Sequence, residues 1–377
     1  MDSLLAPLSG STQMVDEASR LKLQDSLRSA ADAMETPHDT MLRLFNTSLE
    51  ISVVRAGCDL NLFTTLSESQ APISVEKFST EKGAEPLLIG RLLRYLASRR
   101  LIAETGKDEF TANNATKALA DPRINGAMYY THNIGGPVYQ AMPDHLKAQQ
   151  YHSNPQKFAW HAGLQTDQDF FPWAKEHPKE ITWFQQLMSV PREGDWLDVA
   201  PFDNVTAGPD QAFFVDVGGS IGHQCARLRT KRPELAGKII LEDLEETIAS
   251  AKAIDGVEFK SHNFFEPQPV KGAKFYYLRT VLHDWDDVKS EEILKQIIPA
   301  MGPDSKILID EMALPNQGVH WWSACLDLHM YAMLGALERT VEQWHELLEG
   351  RCGLKIEAVK TYMPTMRNSV IVCGLKQ

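Results

Sequence analysis

Phe213-Phe214-Val215-Asp216-Val217-Gly218-Gly219-Ser220-Ile221-Gly222 is the stretch whose reading decides the fold. An aromatic and β-branched run that closes in glycines reads as a buried strand turning tightly into a helix beginning near His223. The strict dinucleotide spacing of three glycines fails here, because Val217 stands where the first glycine belongs.

Outward from this loop, apolar strands recur at Ala212 to Val217, Lys238 to Leu241, Val257 to Lys260, Phe275 to Leu278 and Lys306 to Ile309, with helical stretches between several of them. Such alternation predicts an α/β fold with a doubly wound parallel sheet, whose ligands bind at the carboxyl ends of the strands. Leu354 to Tyr362 and Ser369 to Cys373 read as a closing hairpin around the Pro364 and Asn368 loop.

Chemistry-bearing residues cluster at those predicted strand ends. Asp243 and Leu244 close the second strand, where a carboxylate can accept hydrogen bonds from ribose hydroxyls. Asn263 and Phe264 close the third, offering an amide and a ring to an adenine. His283, in Leu282-His283-Asp284-Trp285-Asp286-Asp287, follows the fourth, and an imidazole with an unperturbed pKa of about 6.5 is a general base near neutral pH. Glu311 ends the fifth strand and Glu338 precedes a helical segment. Each is a candidate to orient the imidazole and stabilise its protonated form, in preference to the adjacent Asp284, Asp286 and Asp287. Taken one at a time, a glycine turn, an acid after a strand or a lone histidine is ordinary structure; together they imply an adenosine-type cofactor facing a base.

The amino-terminal side is helical. Leu42, Phe45, Leu49, Val53 and Ala56 keep helical spacing within a helical block from Gln24 to Leu66, and Leu87, Leu88, Leu92, Leu93 and Leu96 do so from Glu85 to Arg99. Arg100 to Phe110 follows as a strand pair around Gly106-Lys107-Asp108, completing a winged-helix pattern. Arg91, Arg94, Arg99 and Arg100 admit a DNA-binding reading, but a net charge of −12 favours a dimerisation and packing module. Residues 125 to 205 are helical and aromatic, with Trp160, Phe170, Phe171, Trp173, Trp183, Phe184 and Trp196; most such rings are core, and some are expected to line a pocket for a planar ligand.

Three regions are expected within 377 residues: a helical winged-helix dimerisation domain over 1–120, an aromatic-rich bridge over 121–208, and a cofactor-binding domain over 209–377. Five scattered cysteines fit reduced thiols rather than a disulfide framework or zinc site. Without a secretory leader or a long apolar run, a soluble cytoplasmic protein is expected, with no membrane or nucleic-acid partner and no metal. Residues 1 to about 20 are polar and aperiodic, and are expected to be disordered or loosely packed.

The chain resembles S-adenosylmethionine-dependent O-methyltransferases of the plant caffeate/flavonoid and fungal secondary-metabolite type. The resemblance spans roughly residues 40 to 377. It rests on Val215-Asp216-Val217-Gly218-Gly219, His283-Asp284-Trp285-x-Asp287, Glu311-x-x-x-Pro315 and Glu338-Arg339-Thr340. It implies a Rossmann-like catalytic domain, with His283 as general base flanked by Glu311 and Glu338. It also implies that Gly218 and Gly219, beside Asp216, meet the methionine part of the cofactor. Asp243 and Leu244 then meet the ribose, Asn263 and Phe264 the adenine, and Arg279 takes the place of a basic cofactor contact that is usually lysine. S-adenosylhomocysteine is the implied product, a small aromatic or polyketide the acceptor, and a homodimer through the amino-terminal domain the assembly. The candidate substrate pocket comprises His132, Phe170, Trp173, Trp183, Met188, Trp285, Tyr331 and Met333. Some fungal relatives instead use the cofactor's charge for pericyclic or dehydrative steps, in which His132 would hydrogen-bond a substrate carbonyl; the intact His283, Glu311 and Glu338 favour methylation.

Overall fold

The structure is a computed structural model describing residues 17–152, 154, 157–190, 194–364 and 366–376. The chain divides into two compact units, one of Met1–Ala148 with Ala159–Arg192, the other of Gln149–Phe158 with Glu193–Gln377. The helices between 121 and 188 therefore group with the amino-terminal unit. The looseness expected of residues 1 to about 20 lies, up to residue 16, outside the described residues; from Glu17 the chain is helical.

The first unit opens with α1 (Glu17–Asp32), α2 (Pro37–Asp59) and α3 (Leu62–Glu68). The single periodic block in the sequence is broken where Thr36 caps α2. Its hydroxyl accepts from the Asp39 amide, the Asp39 carboxylate reaches back to the Thr36 amide, and Pro37 occupies the first turn, where no amide is needed. Asn61, in the left-handed region, makes the second break. After β1 (Ile73–Ser74) and α4 (Val75–Lys82), α5 (Pro86–Ser98) buries Ile89, Leu93 and Leu96 against Phe63, Phe78 and Phe110. The expected hairpin is present as β2 (Ala103–Gly106) and β3 (Glu109–Thr111), antiparallel, with Asp108 left-handed in the turn. The pairing of β1 with β3 has no sequence signal, since two residues cannot display an alternation.

Further on come α6 (Asn114–Ala120), α7 (Pro122–Tyr130), a π-helical turn over Thr131–Gly135, α8 (Gly136–Ala148), α9 (Ala159–Leu164), α10 (Phe170–Glu176) and α11 (Pro178–Met188). Most of the aromatic run is core here. Trp160 packs edge-on to Phe170 and Trp173, and its indole N–H donates to the Gln168 carbonyl.

The second unit is a seven-stranded sheet flanked by helices. Its strands are β4 (Ala212–Val217), β5 (Lys238–Asp243), β6 (Val257–Ser261), β7 (Phe275–Arg279), β8 (Lys306–Met312), β9 (Leu354–Met363) and β10 (Asn368–Leu375). Their order is β6-β5-β4-β7-β8-β10-β9. Strands β4 to β8 run parallel, and β10 inserts antiparallel between β8 and β9. Every residue of β4 is buried, as a parallel strand covered on both faces requires. Val215, Val217, Tyr276, Leu278, Ile307 and Ile309 pack on one face with Trp344; Phe214, Tyr277, Leu308 and Val370 pack on the other with Trp196. The helices are α12 (His223–Lys231), α13 (Glu245–Ser250), α14 (Asp287–Ile297), α15 (Trp321–Leu334) and α16 (Val341–His345).

The chain lays down β4, β5 and β6 outward and then returns to place β7 on the other side of β4. The carboxyl ends of β4 and β7 thus flank a topological switch point, where open α/β sheets bind ligands. No helix among the described residues is long and apolar enough to cross a membrane.

Candidate active site

The loop after β4 is shaped by its glycines. Gly218 has φ +71, and a Cβ there would press on Val281 and Phe264. A Cβ on Gly219 would fall 2.4 Å from the Asp216 carboxyl carbon. Both amides donate to the Glu242 carbonyl, at 2.9 and 3.1 Å. Ser220 also sits in the left-handed region, φ +55, at a cost a glycine would avoid. Its amide donates to Asp243 at 2.8 Å, and the Leu244 amide donates to the other Asp243 oxygen at 2.8 Å. Main-chain amides of two loops therefore fix the Asp243 carboxylate.

Gly218, Asp243, Leu244, His262, Asn263, Phe264, Phe265 and Trp285 line a cavity of about 300 Å³. That is within the range of small-molecule pockets, and it combines aromatic walls with a few placed polar groups. Asn263 Oδ1 accepts from the Phe265 amide, which holds the side chain at the third strand end. S-adenosylmethionine fits this donor set: a glycine floor that a side chain would fill, a carboxylate for the ribose, and an amide and rings for the adenine.

Asp216 does not line the cavity. It is fully buried beneath Gly219, and burial pushes its carboxyl up to about 7, partly opposed by a hydrogen bond from Cys225. It supports the loop from below instead of offering an open cofactor contact. Arg279, ending β7, is held by Asp310 at 2.8 Å. Asp310 also accepts from the hydroxyls of Tyr277 and Tyr362, each at 2.6 Å. Asp310 escaped the sequence reading, although a signal was present: a carboxylate inside an apolar strand covered on both faces must find partners.

His283 lies on a 3₁₀ turn over Leu282–Asp284. Its Nδ1 is 2.9 Å from Glu338 Oε1 and 3.9 Å from Glu311 Oε2, and its Nε2 is 3.5 Å from Asp284. Glu311 Oε1 accepts from the amides of Val281 and Leu282, both at 2.9 Å, and so fixes the turn; its other oxygen is buried without a hydrogen-bond partner. The Glu338 amide donates to Asp327, at 2.8 Å. Burial alone pushes the imidazole pKa down, but the Glu311 and Glu338 carboxylates outweigh it and raise it to about 10. Burial pushes Glu311 up to about 7, against the pull of His283. Carboxylates face both ring nitrogens, but only the Glu338 contact at 2.9 Å is of hydrogen-bond length, so in the neutral ring the proton is assigned to Nδ1 and the lone pair to Nε2. His283 and Glu311, each shifted by the other's charge, are a coupled buried pair.

The other expected pocket residues are placed as follows. Trp285 packs edge-on to Phe265 and lines the cofactor-sized cavity. Tyr331 and Met333 lie on α15, with Met333 buried. Phe170 is core, Trp183 stacks on Tyr129 at 5.1 Å, Trp173 stacks on His177 at 3.8 Å, and Met188 is exposed at the end of α11. His132 occupies the π-helical turn, a local irregularity that often accompanies functional positions. Its Nδ1 is 2.8 Å from Asn133 Oδ1, which also accepts from Arg55 Nε. Two of the wing-side arginines are ion-paired within their unit, Arg94 to Asp108 at 3.1 Å and Arg99 to Glu50 at 2.8 Å. The groove of about 450 Å³ beside Arg94 and Arg100 is larger than the cavity at Gly218, but it is more open and no histidine lines it.

A cavity of about 300 Å³ at the switch point of a mostly parallel sheet, and a carboxylate-held imidazole on the turn after β7, fit the class of S-adenosylmethionine-dependent methyltransferases. The chain belongs to the O-methyltransferase family: residues 209–353 match its catalytic domain and residues 42–121 its dimerisation domain. It is 38% identical over 367 residues to demethylsterigmatocystin 6-O-methyltransferase of Aspergillus parasiticus, covering 96% of this chain and 95% of that one. To O-methyltransferase lepI of Aspergillus flavus it is 36% identical over 373 residues, 97% and 96% of the two chains. A solved LepI complex with S-adenosylmethionine superposes with a TM-score of 0.88 at 35% identity, covering 100% and 98% of the two chains. A structure described as a pericyclic reaction enzyme matches at 0.89 and 35%, covering 99% and 98%. The protein is an S-adenosylmethionine-dependent O-methyltransferase of the type found in fungal secondary metabolism.

Proposed function

We propose that this enzyme methylates a phenolic hydroxyl of a small aromatic or polyketide-type acceptor, with His283 as the general base. The observation that carries the reading is the 2.9 Å contact between His283 Nδ1 and Glu338, which leaves Nε2 as the proton acceptor at the carboxyl edge of the sheet. Bound S-adenosylmethionine supplies an electrophilic methyl on a sulfonium. Gly218 and Gly219 give its methionine part room, Asp243 and Leu244 hold the ribose, Asn263 and Phe264 hold the adenine, and Arg279 adds positive charge. A phenol with a pKa near 10 is mostly protonated at neutral pH, so a base that removes its proton raises its nucleophilicity. Glu338 fixes the imidazole tautomer, and with Glu311 it stabilises the imidazolium formed as the proton arrives.

The exposed apolar face of α2, with Met41, Leu42, Leu44, Phe45 and Leu49, lies in the dimerisation-domain segment and supports a homodimer through this unit. A cytoplasmic location is part of the same reading. The likeness to the pericyclic reaction enzyme supports a second reading, in which the cofactor's charge is used without loss of its methyl. Mass spectrometry on a panel of phenolic and polyketide acceptors separates the two. Methylation predicts a product heavier by one methyl and one S-adenosylhomocysteine per turnover. Isomerised or dehydrated product with S-adenosylmethionine intact would establish the second reading.

A further inference from the structure

Arg339 carries a charge in a place that charge avoids. Its side chain is 0% exposed, and the Trp344 ring lies 5.1 Å from the guanidinium carbon. Burying a guanidinium is costly unless its donors are satisfied, and an apolar side chain of similar volume is often as stable or more so. What a guanidinium adds is a rigid planar fork that reads several acceptors at once. Here Nε donates to Asp287 at 2.9 Å, Nη1 to the Leu282 carbonyl at 2.9 Å, and Nη2 to the Trp285 carbonyl at 2.8 Å and the Ser290 hydroxyl at 3.1 Å.

Leu282 and Trp285 bracket His283 and Asp284. Between the two clamped carbonyls, the His283 carbonyl itself accepts from the Leu337 amide at 3.3 Å. Residues 337–339 thus lie across the histidine turn. The same segment is tied to the continuation of β8, because the Leu314 amide donates to the Arg339 carbonyl at 3.0 Å. Glu338 lies between Leu337 and Arg339, both of which contact the histidine turn, and its carboxylate reaches Nδ1. The Glu338-Arg339-Thr340 and His283-to-Asp287 motifs, 55 residues apart at His283 and Glu338, are joined by the Glu338–His283 contact and by this guanidinium.

We propose that Arg339 is a positioning residue for the base: its fork locks the two carbonyls that bracket His283 and so holds Glu338 against the imidazole. This rests on His283 being the base. The charged groups facing the ring are Asp284 on its own turn, Glu311 at the end of β8 and Glu338. Asp327 on α15, and Asp287 at the start of α14, act one contact further out. Arg339 touches the carbonyls and not the ring, so its effect on the ring runs through Glu338.

The test uses the full-length enzyme with Arg339→Met and Arg339→Lys. Loosening the turn is expected to lower kcat by about 10- to 10²-fold, the scale of a misplaced catalytic group, while the S-adenosylmethionine Kd from calorimetry stays within about twofold. Lysine keeps the charge but lacks the fork and does not rescue. Two readouts separate positioning from mere packing. The acid limb of the pH–rate profile, and the His283 titration followed by NMR in histidine-labelled protein, both move toward lower pH. In Glu338→Gln, adding Arg339→Met then costs little more. An unchanged His283 titration, or losses that multiply in the double variant, overturns the proposal. Should Arg339→Met fail to fold, Asp287→Asn, which weakens only the Nε contact, is expected to move the titration in the same direction by less, and an unmoved titration there counts against the clamp. The NMR titration reads the clamp even if His283→Ala retained activity, so failure of the base assignment and failure of the clamp are told apart.

Discussion

Gly218, Asp243 and Asn263 close three successive parallel strands and are fixed largely by main-chain groups close along the chain or on the neighbouring strand. His283, Glu311 and Glu338 come instead from three separated segments, and they meet through buried charged side chains. The first arrangement makes a pocket whose members act nearly independently. The second makes a buried cluster in which the protonation of His283 and that of Glu311 depend on each other.

That contrast can be broken most sharply at His283. His283→Ala is expected to lower kcat by about 10²- to 10⁴-fold, the usual worth of a general base, with calorimetric binding of S-adenosylmethionine preserved. Full activity in that variant would remove the base. Asp243→Ala addresses the other end. Losing hydrogen bonds to a carboxylate should weaken cofactor binding by roughly 10- to 10²-fold, corresponding to about 1.5 to 3 kcal/mol, and leave the shape of the pH profile alone. A shifted profile in that variant would mean the two ends are coupled after all.

The pH dependence sharpens the comparison further. A raised imidazole pKa keeps the protonated form at neutral pH, and the base must be neutral, so kcat/KM should rise with pH through a limb above the ordinary histidine value of about 6.5. Glu338→Gln removes a charge that favours imidazolium, which moves the limb down. Saturating cofactor, itself cationic, should leave the kcat limb lower than the kcat/KM limb. A limb at or below 6.5 in the free enzyme would contradict the carboxylate cage. The smallest effect is expected at Ser220. Ser220→Gly relieves a left-handed backbone and should stabilise by up to about 1 kcal/mol, read as a small rise in Tm, without moving the pH profile.

The strand ends were legible because their signals are local. Alternation of strands and helices places Gly218, Asp243, Asn263 and His283 at one edge of a sheet before any contact is known. The helical block from Gln24 to Leu66 was legible as helix but not as three helices, because its breaks at Thr36 and Asn61 are single-residue capping events that a periodicity averages over. The aromatic run from Trp160 to Trp196 was legible as rings but not as pocket or core. Trp196 belongs to the sheet, stacked 4.4 Å from Tyr277, whereas Trp160 packs among α9 and α10, and residue type alone cannot separate those fates.

Strand–helix alternation and the residues at the strand ends were enough, from the sequence by itself, to set an α/β sheet with an adenosine-type cofactor at its carboxyl edge, and the motifs that resemble O-methyltransferases added the reaction class. Those features repeat along one chain direction and need no distant partner. Only the tertiary structure decided that Asp216 is a buried support, that Asp310 holds Arg279, that His132 meets Asn133, and that Arg339 clamps the histidine turn. Each depends on which buried polar groups meet across dozens of residues. In a close-packed interior, every such group must find its partner, and the sequence does not name that partner.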